Sequence, residues 1–454
     1  MPALRSAPDR TLHLTAIAGL SIYGAGVGLA GHHSLGIAIR VIGLALLFFV
    51  AIRRRSLTGW TFFAILAGTE LGADAPVVAV HLHILAEIFL HLVRVIVAPL
   101  ILGTLTTGIA GHGRLRSLGR IAWRTFLYFE GVTTLALLLG AAAINISRAG
   151  EGVALPAAVV DGTSTIVTHP GVEAFLLNMF PENIALAIAQ NQILQVAVFA
   201  IFFGVALALL PDEKKAPLLT VLKSLTDAMF QFTKIIMYFA PIAAGAAMSY
   251  TVGSMGLNTL LPLAKLVGTF YGAVLAFVLL VFLPIILLTK IPLRGFLKAV
   301  GEPAAIGFAT STSEAALPLA MERMEEFGVP RWIVSFVIPS GYSFNMDGSS
   351  LYLSVAAIFA AQASGIHLSL GGEAAMLATL MVTSKGIAGV PRAVLAILLG
   401  TAASFHLSTA AVMMILGVDA LIDMGRTGLN VAGNCLASAV VSRWESNGDH
   451  TDTA

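Results

Sequence analysis

Charge and cysteine are what this sequence has least of. Only 11% of its 454 residues are Asp, Glu, Lys or Arg, where a soluble domain carries about 25%. So little charge excludes an ordinary water-facing surface on a chain of this size. The single cysteine, Cys435, excludes an intramolecular disulfide framework and any cysteine-cluster metal site; it reads as a packed thiol. The chain has no Gly-x-x-x-x-Gly-Lys-Ser/Thr loop for ATP phosphates and no His-Glu-x-x-His pair, so a primary pump and a zinc hydrolase both lack their machinery. It has no nucleophile elbow for an intramembrane enzyme. With a net charge of +2 and no basic stripe, nucleic acid is not an expected partner.

Apolar residues fill the space that charge leaves. They make up 57% of the chain, and the mean hydropathy is +0.91. Nearly uncharged runs recur at Leu12–Ala30, Trp60–Leu71, Ile193–Leu210, Tyr271–Leu288 and Ala393–Val418, several of them near the roughly 20 residues that cross a bilayer as a helix. Basic clusters at Arg53–Arg55, Arg114 to Arg120, Lys214–Lys215, Lys290 to Lys298 and Arg443 punctuate them, whereas the loops at His32–His33, Thr251–Asn258 and Gly365–Gly372 carry no Lys or Arg. The excess of Lys and Arg marks the cytoplasmic side. Alternating sides gives spans near 12–30, 34–52, 58–77, 82–110, 119–147, 181–210, 217–250 and 259–289, with both termini cytoplasmic. Arg5 and Arg10 ahead of the first run imitate a signal peptide. The length of that run and the second span directly after it read instead as a retained helical hairpin.

From Gly295 to Arg443 the hydropathy is broken by polar, Gly and Pro clusters: Ala309–Pro318, Gly341–Ser350 and Thr383–Pro391. Irregular backbone at membrane depth survives only where protein buries it or a watery cavity wets it. Two such interrupted segments, one from each side, point to a secondary transporter with re-entrant hairpins and a midplane site.

The segment after Gly417 carries the costliest side chains. At 100° per residue, Asp419, Asp423, Arg426, Thr427, Asn430 and Asn434 fall within an arc of roughly 100°. A charge at the centre of a bilayer helix costs at least about 2.5–3.5 kcal/mol on insertion scales, so these groups require partners. One reading is a self-neutralising Asp423–Arg426 pair at i, i+3. The other is a site for an amino acid with a second carboxylate, in which Arg426 forks the distal carboxylate and Asp423 faces the ammonium. Hydroxyls and N–H groups of Thr310–Ser313 then serve the α-carboxylate.

These residues resemble the glutamate/aspartate and C4-dicarboxylate:cation symporters, the glutamate transporter homologues. The resemblance rests on the Ser313 tip with Leu317–Pro318, on Asn345-Met-Asp-Gly-Ser349, on Ala388-Gly-Val-Pro391 and on Arg426-Thr-x-x-Asn430, and it covers about residues 58 to 445. It implies an all-α membrane protein of eight transmembrane helices and two re-entrant helical hairpins, about 297–326 and 373–405. To this the sequence adds an N-terminal two-helix segment, 1–55. Residues 58–290 would be mainly scaffold and trimerisation helices, 295–443 the core of a transport domain that moves as an elevator, and 444–454 a polar tail. The implied assembly is a homotrimer in a bacterial inner membrane.

The implied function is uptake of L-glutamate or L-aspartate coupled to protons, sodium or both, with C4-dicarboxylates as the alternative substrates. No cofactor is implied beyond the coupling ions. The implied substrate set is Ser311, Ser313, Ser349, Asp423, Arg426, Thr427 and Asn430, in which Ser313 meets the α-carboxylate, Asp423 the amino group and Arg426 the distal carboxylate. Arg426 matches the acidic-substrate branch. Asp423 matches the amino-acid branch, since C4-dicarboxylate carriers have a small uncharged residue there. Implied sodium ligands are Thr133, Asn345, Asp347, Asn430 and Asn434, but sodium-driven members have an aspartate where this chain has Asn434, and a tyrosine and a threonine at Phe129 and Val132. Glu130, inside a span, resembles proton-coupled members. Glu130 and Glu314 are the proton-carrier candidates, and a structural role for either stays open.

Overall fold

The computed structural model describes residues 10–28, 33–54, 56–110, 119–153, 155, 177, 180–190, 192–366, 368–384, 393–405 and 407–448. Among them the regular structure is helical throughout, with no strand. Four helical stretches, Leu35–Arg53, Pro76–Ala110, Trp123–Ser147 and Leu257–Leu288, are long and apolar enough to cross a membrane. The chain forms two compact units, one of residues 1–87 and 238–257, the other of 88–237 and 258–454.

The first unit holds α1 (Arg10–Gly28), α2 (His33–Arg54), α3 (Leu57–Asp74), α4 (Pro76–His81), the start of α5 (His83–Ala110) and α10 (Ala240–Met255). Ser56 starts α3 by accepting the Gly59 N–H at 3.1 Å, which satisfies one of the donors a helix start leaves open. Pro76 opens α4, where a missing N–H costs nothing. Glycines let α3 and α10 touch along their backbones: a Cβ on Gly72 would lie 2.8 Å from the Ser249 carbonyl, and one on Gly245 2.8 Å from that of Ala64. Small residues that permit such close approach are the usual means of holding membrane helices together, because lipid supplies no hydrophobic drive between them.

The second unit holds the rest of α5, then α6 (Gly119–Ser147), α7 (Ile184–Ala189), α8 (Ile193–Ala208), α9 (Asp212–Met237), α11 (Leu260–Phe277) and α12 (Leu283–Leu288). It continues through α13 (Leu293–Thr310), α14 (Ser313–Glu326), α15 (Arg331–Phe344), α16 (Asp347–Ala363), α17 (Leu370–Ser384), α18 (Ala393–Ser404) and α19 (Thr409–Gly448). Some expected single spans are divided. The 181–210 run is two helices, because the Asn183 side chain starts α7 by accepting the Ala185 and Leu186 N–H groups and α8 begins afresh at Ile193. The 259–289 run is α11 and α12 joined by a π-helical turn, Val278–Phe282, just before Pro284. Proline donates no N–H, so the ladder is redrawn there.

At the centre of this unit lies α16, whose residues from Asp347 to Ala361 are all buried. It packs between α6 and α19. Gly140 of α6 lies where a Cβ would strike the Ser354 hydroxyl and stand 2.7 Å from the Leu351 carbonyl. Polar side chains on α16 therefore meet protein from both sides, the condition for carrying them at membrane depth.

Candidate functional site

All six residues of the α19 stripe are buried. Arg426 pairs through Nε with Asp423 Oδ1 one turn back, and donates from Nη1 to Ser349 Oγ at 2.8 Å. Both side chains of the pair are 3% exposed. The self-neutralising pair is thus present, and it sits beside a hydroxyl contributed by another helix. Breaking such a buried pair costs about 3–5 kcal/mol, because the abandoned charge has no water to turn to.

Asn430 joins α19 to the start of α16. Its Oδ1 accepts the Gly348 N–H at 2.8 Å and the Ser349 N–H at 3.3 Å, and its Nδ2 donates to Ser349 Oγ at 3.0 Å. Met346 ahead of α16 makes no side-chain cap, so Asn430 satisfies from a neighbouring helix the donors that a cap residue ordinarily takes. Asn430→Ala is expected to leave two buried N–H groups open, at about 1–3 kcal/mol. The measurable result is a melting midpoint lower by several degrees, whereas Asn430→Asp retains an acceptor there.

Ser349 Oγ accepts two hydrogen bonds, from Arg426 and from Asn430. A hydroxyl has one donor and two acceptor positions, so the Ser349 O–H remains to be given to a further acceptor. Gly348 makes this convergence possible: a Cβ there would run into the backbone of Arg426. Thr427, by contrast, gives its hydroxyl to the Asp423 carbonyl at 2.8 Å in its own helix.

Further along the stripe, Asn345 Nδ2 donates to Asn434 Oδ1 at 3.0 Å. That leaves Asn345 Oδ1 without a hydrogen bond, and the buried hydroxyl of Thr133 on α6 is in the same condition. Asp347 is fully buried in this neighbourhood, close enough to Gly433 that a Cβ there would meet its Oδ2. Carboxylate, amide and hydroxyl oxygens are the donor set of a hard cation. At the other end, Asp419 Oδ1 accepts from the Tyr352 hydroxyl at 2.8 Å.

Between α13 and α14 the chain turns at Thr310–Thr312, with Ser311 in the left-handed region at φ +52°. Threonines tie the turn: Thr310 Oγ1 donates to Ile306 O at 2.7 Å, and Thr312 Oγ1 donates to Thr310 O at 3.1 Å. Thr312 precedes α14 in extended conformation and offers it no side-chain cap, so the first N–H groups of α14 stay open towards an acceptor. Ser313 is buried, and its carbonyl is held by the Tyr342 hydroxyl of α15 at 2.8 Å.

The structure therefore brings Ser349, Asp423, Arg426 and Asn430 into one hydrogen-bonded cluster, with Asn345 and Asn434 beyond them. Ser311 and Ser313 belong to the α13–α14 turn. Glu130 is half-buried on α6, three residues before Thr133. The Glu314 side chain, Ala388–Pro391 and His32 lie outside the described residues or side chains. Sequence reasoning missed Tyr352, although its place three residues after Ser349 puts it on a neighbouring face of α16, and it missed Tyr342.

Residues 57–444 match the Sodium:dicarboxylate symporter family. The chain belongs to this family. It is 40% identical over 371 residues to the "Proton/glutamate-aspartate symporter" of Escherichia coli (strain K12), covering 80% of this chain and 85% of that protein. It is 38% identical over 403 residues to the "Proton/sodium-glutamate symport protein" of Bacillus caldotenax, covering 87% and 95%. It is 39% identical over 398 residues to the "C4-dicarboxylate transport protein 2" of Mesorhizobium japonicum, covering 86% and 90%. As a member of the sodium:dicarboxylate symporter family, the protein is a cation-coupled carrier and not an enzyme, and its apolar helices are those of a multi-pass membrane protein. The family match begins at residue 57, after α1 and α2.

Proposed function

We propose that this carrier takes up L-glutamate and L-aspartate together with protons. The observation that carries the reading is the buried Asp423–Arg426 pair with Ser349 beside it. In the empty carrier each charge of the pair neutralises the other. An acidic amino acid supplies a carboxylate for Arg426 and an ammonium for Asp423, so both charges exchange one partner for another and neither is left bare. The free Ser349 donor adds to the distal carboxylate, and the open N–H groups of α14 with the Ser311–Ser313 turn receive the α-carboxylate. Asn430 joins the two helices that carry these groups, and Thr427 lies beside it on the same face of α19.

A C4-dicarboxylate is the second reading, because relatives named for either substrate class are nearly equally similar to this chain. Identity does not separate them; a carboxylate at 423 favours the amino acid, because a diacid without an amine would put its own negative charge where Asp423 already stands. Counterflow tests the choice. Vesicles preloaded with unlabelled glutamate are expected to accumulate external labelled glutamate, and excess aspartate to stop this while succinate does not. Inhibition by succinate and malate alone would select the diacid reading.

For coupling, the oxygens of Thr133, Asn345 and Asp347 make one hard-cation set, with Asn430 and Asn434 next to it. A neutral amide at 434 gives a second site one negative charge fewer than an aspartate would, which favours the proton as the obligatory ion. Glu130 is its proposed seat, since a carboxyl in a membrane span can load and release a proton as its surroundings change. Glu130→Gln is expected to abolish gradient-driven accumulation while leaving counterflow. Accumulation at the wild-type level would make Glu130 structural.

The wider architecture we infer has eight family helices and two re-entrant hairpins, α13–α14 and α17–α18, in an inner-membrane homotrimer with both termini cytoplasmic. Residues 58–290 would form mainly the scaffold, and 295–443 the core of a domain that carries the site across the membrane as an elevator.

A further inference from the structure

Residues 10–54 precede the family match, yet α1 and α2 fold into one compact unit with α3. Two contacts fix α2 on α3. Near one end the Phe48 ring lies 5.6 Å from Trp60 and 5.2 Å from Phe63. Near the other, Arg40 Nε pairs with Glu70, and Arg40 Nη2 stands 3.4 Å from each oxygen of Asp74. Going back along α2 from Phe48 to Arg40 is matched by going forward along α3 from Phe63 to Glu70, so both contacts belong to one antiparallel register. A slip by a turn breaks both.

The first helix closes the cluster from its other side. The Tyr23 hydroxyl donates to Glu70 Oε2 at 3.1 Å. Gly43 lets α1 approach, since a Cβ there would stand 2.7 Å from Tyr23 N and 2.8 Å from Gly19 O. The Arg40 and Glu70 side chains are only 14% and 13% exposed. They sit on helices whose surroundings are apolar: exposed Leu35, Val41, Ile42, Phe48, Phe49 and Ile52 cover α2. A lone arginine on α2, or two lone carboxylates on α3, would meet hydrocarbon, which strongly disfavours charge. Joined, Arg40 offsets one of the two carboxylate charges, and the Tyr23 hydroxyl gives Glu70 a further donor.

We propose that α1 and α2 form a brace latched to α3 by Arg40, and that the latch exists because α3 carries an acidic face, Glu70 and Asp74, which needs α2 and not lipid as its neighbour. The hairpin is then a fixed part of the carrier in one register, as buried polar groups specify in other helix assemblies, and not a free membrane anchor.

The test uses the full-length protein in detergent. Arg40→Met is expected to lower the melting midpoint by on the order of 5 °C, because it strands the carboxylates. The triple variant Arg40→Met/Glu70→Gln/Asp74→Asn is expected to recover most of that loss. In a Cys435→Ser background, Phe48→Cys with Phe63→Cys is expected to cross-link through a short bifunctional thiol reagent in membranes, and to lose most of the yield when Arg40→Met is added. A wild-type midpoint for Arg40→Met overturns the latch. So does a triple variant as unstable as the single one, which would mean lost packing and not stranded charge. Absence of the cross-link in the parent pair overturns the docked register.

Discussion

Asp423→Ser is expected to remove glutamate and aspartate transport while succinate or malate binding is kept or gained. The expectation follows from the two roles that the carboxylate holds. In the empty carrier it neutralises Arg426 inside a cluster that is almost wholly buried, and in the proposed loaded carrier it would face the substrate's ammonium. Serine does neither. A bound amino acid would then bring an ammonium with no counter-charge into a buried site, at about 2–5 kcal/mol, or roughly 30-fold to several thousand-fold in affinity. A diacid brings no ammonium, and its carboxylate restores to Arg426 the counter-charge that the substitution removed. Equilibrium binding of labelled glutamate and succinate to the purified variant measures both halves. Unchanged glutamate affinity would mean that the amino group is held elsewhere.

Arg426→Ala has the converse effect. It strands Asp423, and it removes the fork whose planar N–H pair matches a carboxylate in two hydrogen bonds. Glutamate and aspartate affinity should fall by at least about 100-fold, the equivalent of about 2.7 kcal/mol. Asp423 remains to attract an ammonium, so small neutral amino acids such as alanine or serine should now compete in counterflow where they did not before. Arg426→Lys should not rescue acidic substrates fully, because a point charge on a flexible stem reproduces the charge but not the fork. Retention of wild-type glutamate affinity by Arg426→Ala would remove the distal-carboxylate role from Arg426.

The two positions are legible in the sequence because helical periodicity is strict. Charged and amide residues separated by three and four positions must share a face, and in an apolar chain such a face is conspicuous from residue order alone. What Asn430 does is not legible. Its use as a cap for α16 depends on where that helix begins and on which helix lies across from it, and neither is a local property. The same holds for the Tyr352 hydroxyl on Asp419. At the other end of the chain Arg40, Glu70 and Asp74 are visible as charges inside or beside apolar runs, but their pairing spans 30 and 34 positions and emerges only when α2 lies on α3.

Segment boundaries show the same division between local and tertiary causes. The α13–α14 turn is legible in its run of threonine and serine, residues whose short hydroxyl side chains bond their own backbone and so compete with helix. The π-helical turn ahead of Pro284 is not, since the run around it is uniformly apolar and reads as one helix. Residues Ala388–Pro391, which carry part of the resemblance, lie outside the described residues.

The most direct test of a proton-coupled carrier for acidic amino acids is labelled glutamate uptake into proteoliposomes under an imposed inward proton gradient, with sodium absent on both sides. The account predicts accumulation several-fold above the external concentration, abolished by a protonophore. Accumulation that requires a sodium gradient and is indifferent to pH, or equilibration without accumulation under either gradient, would contradict it.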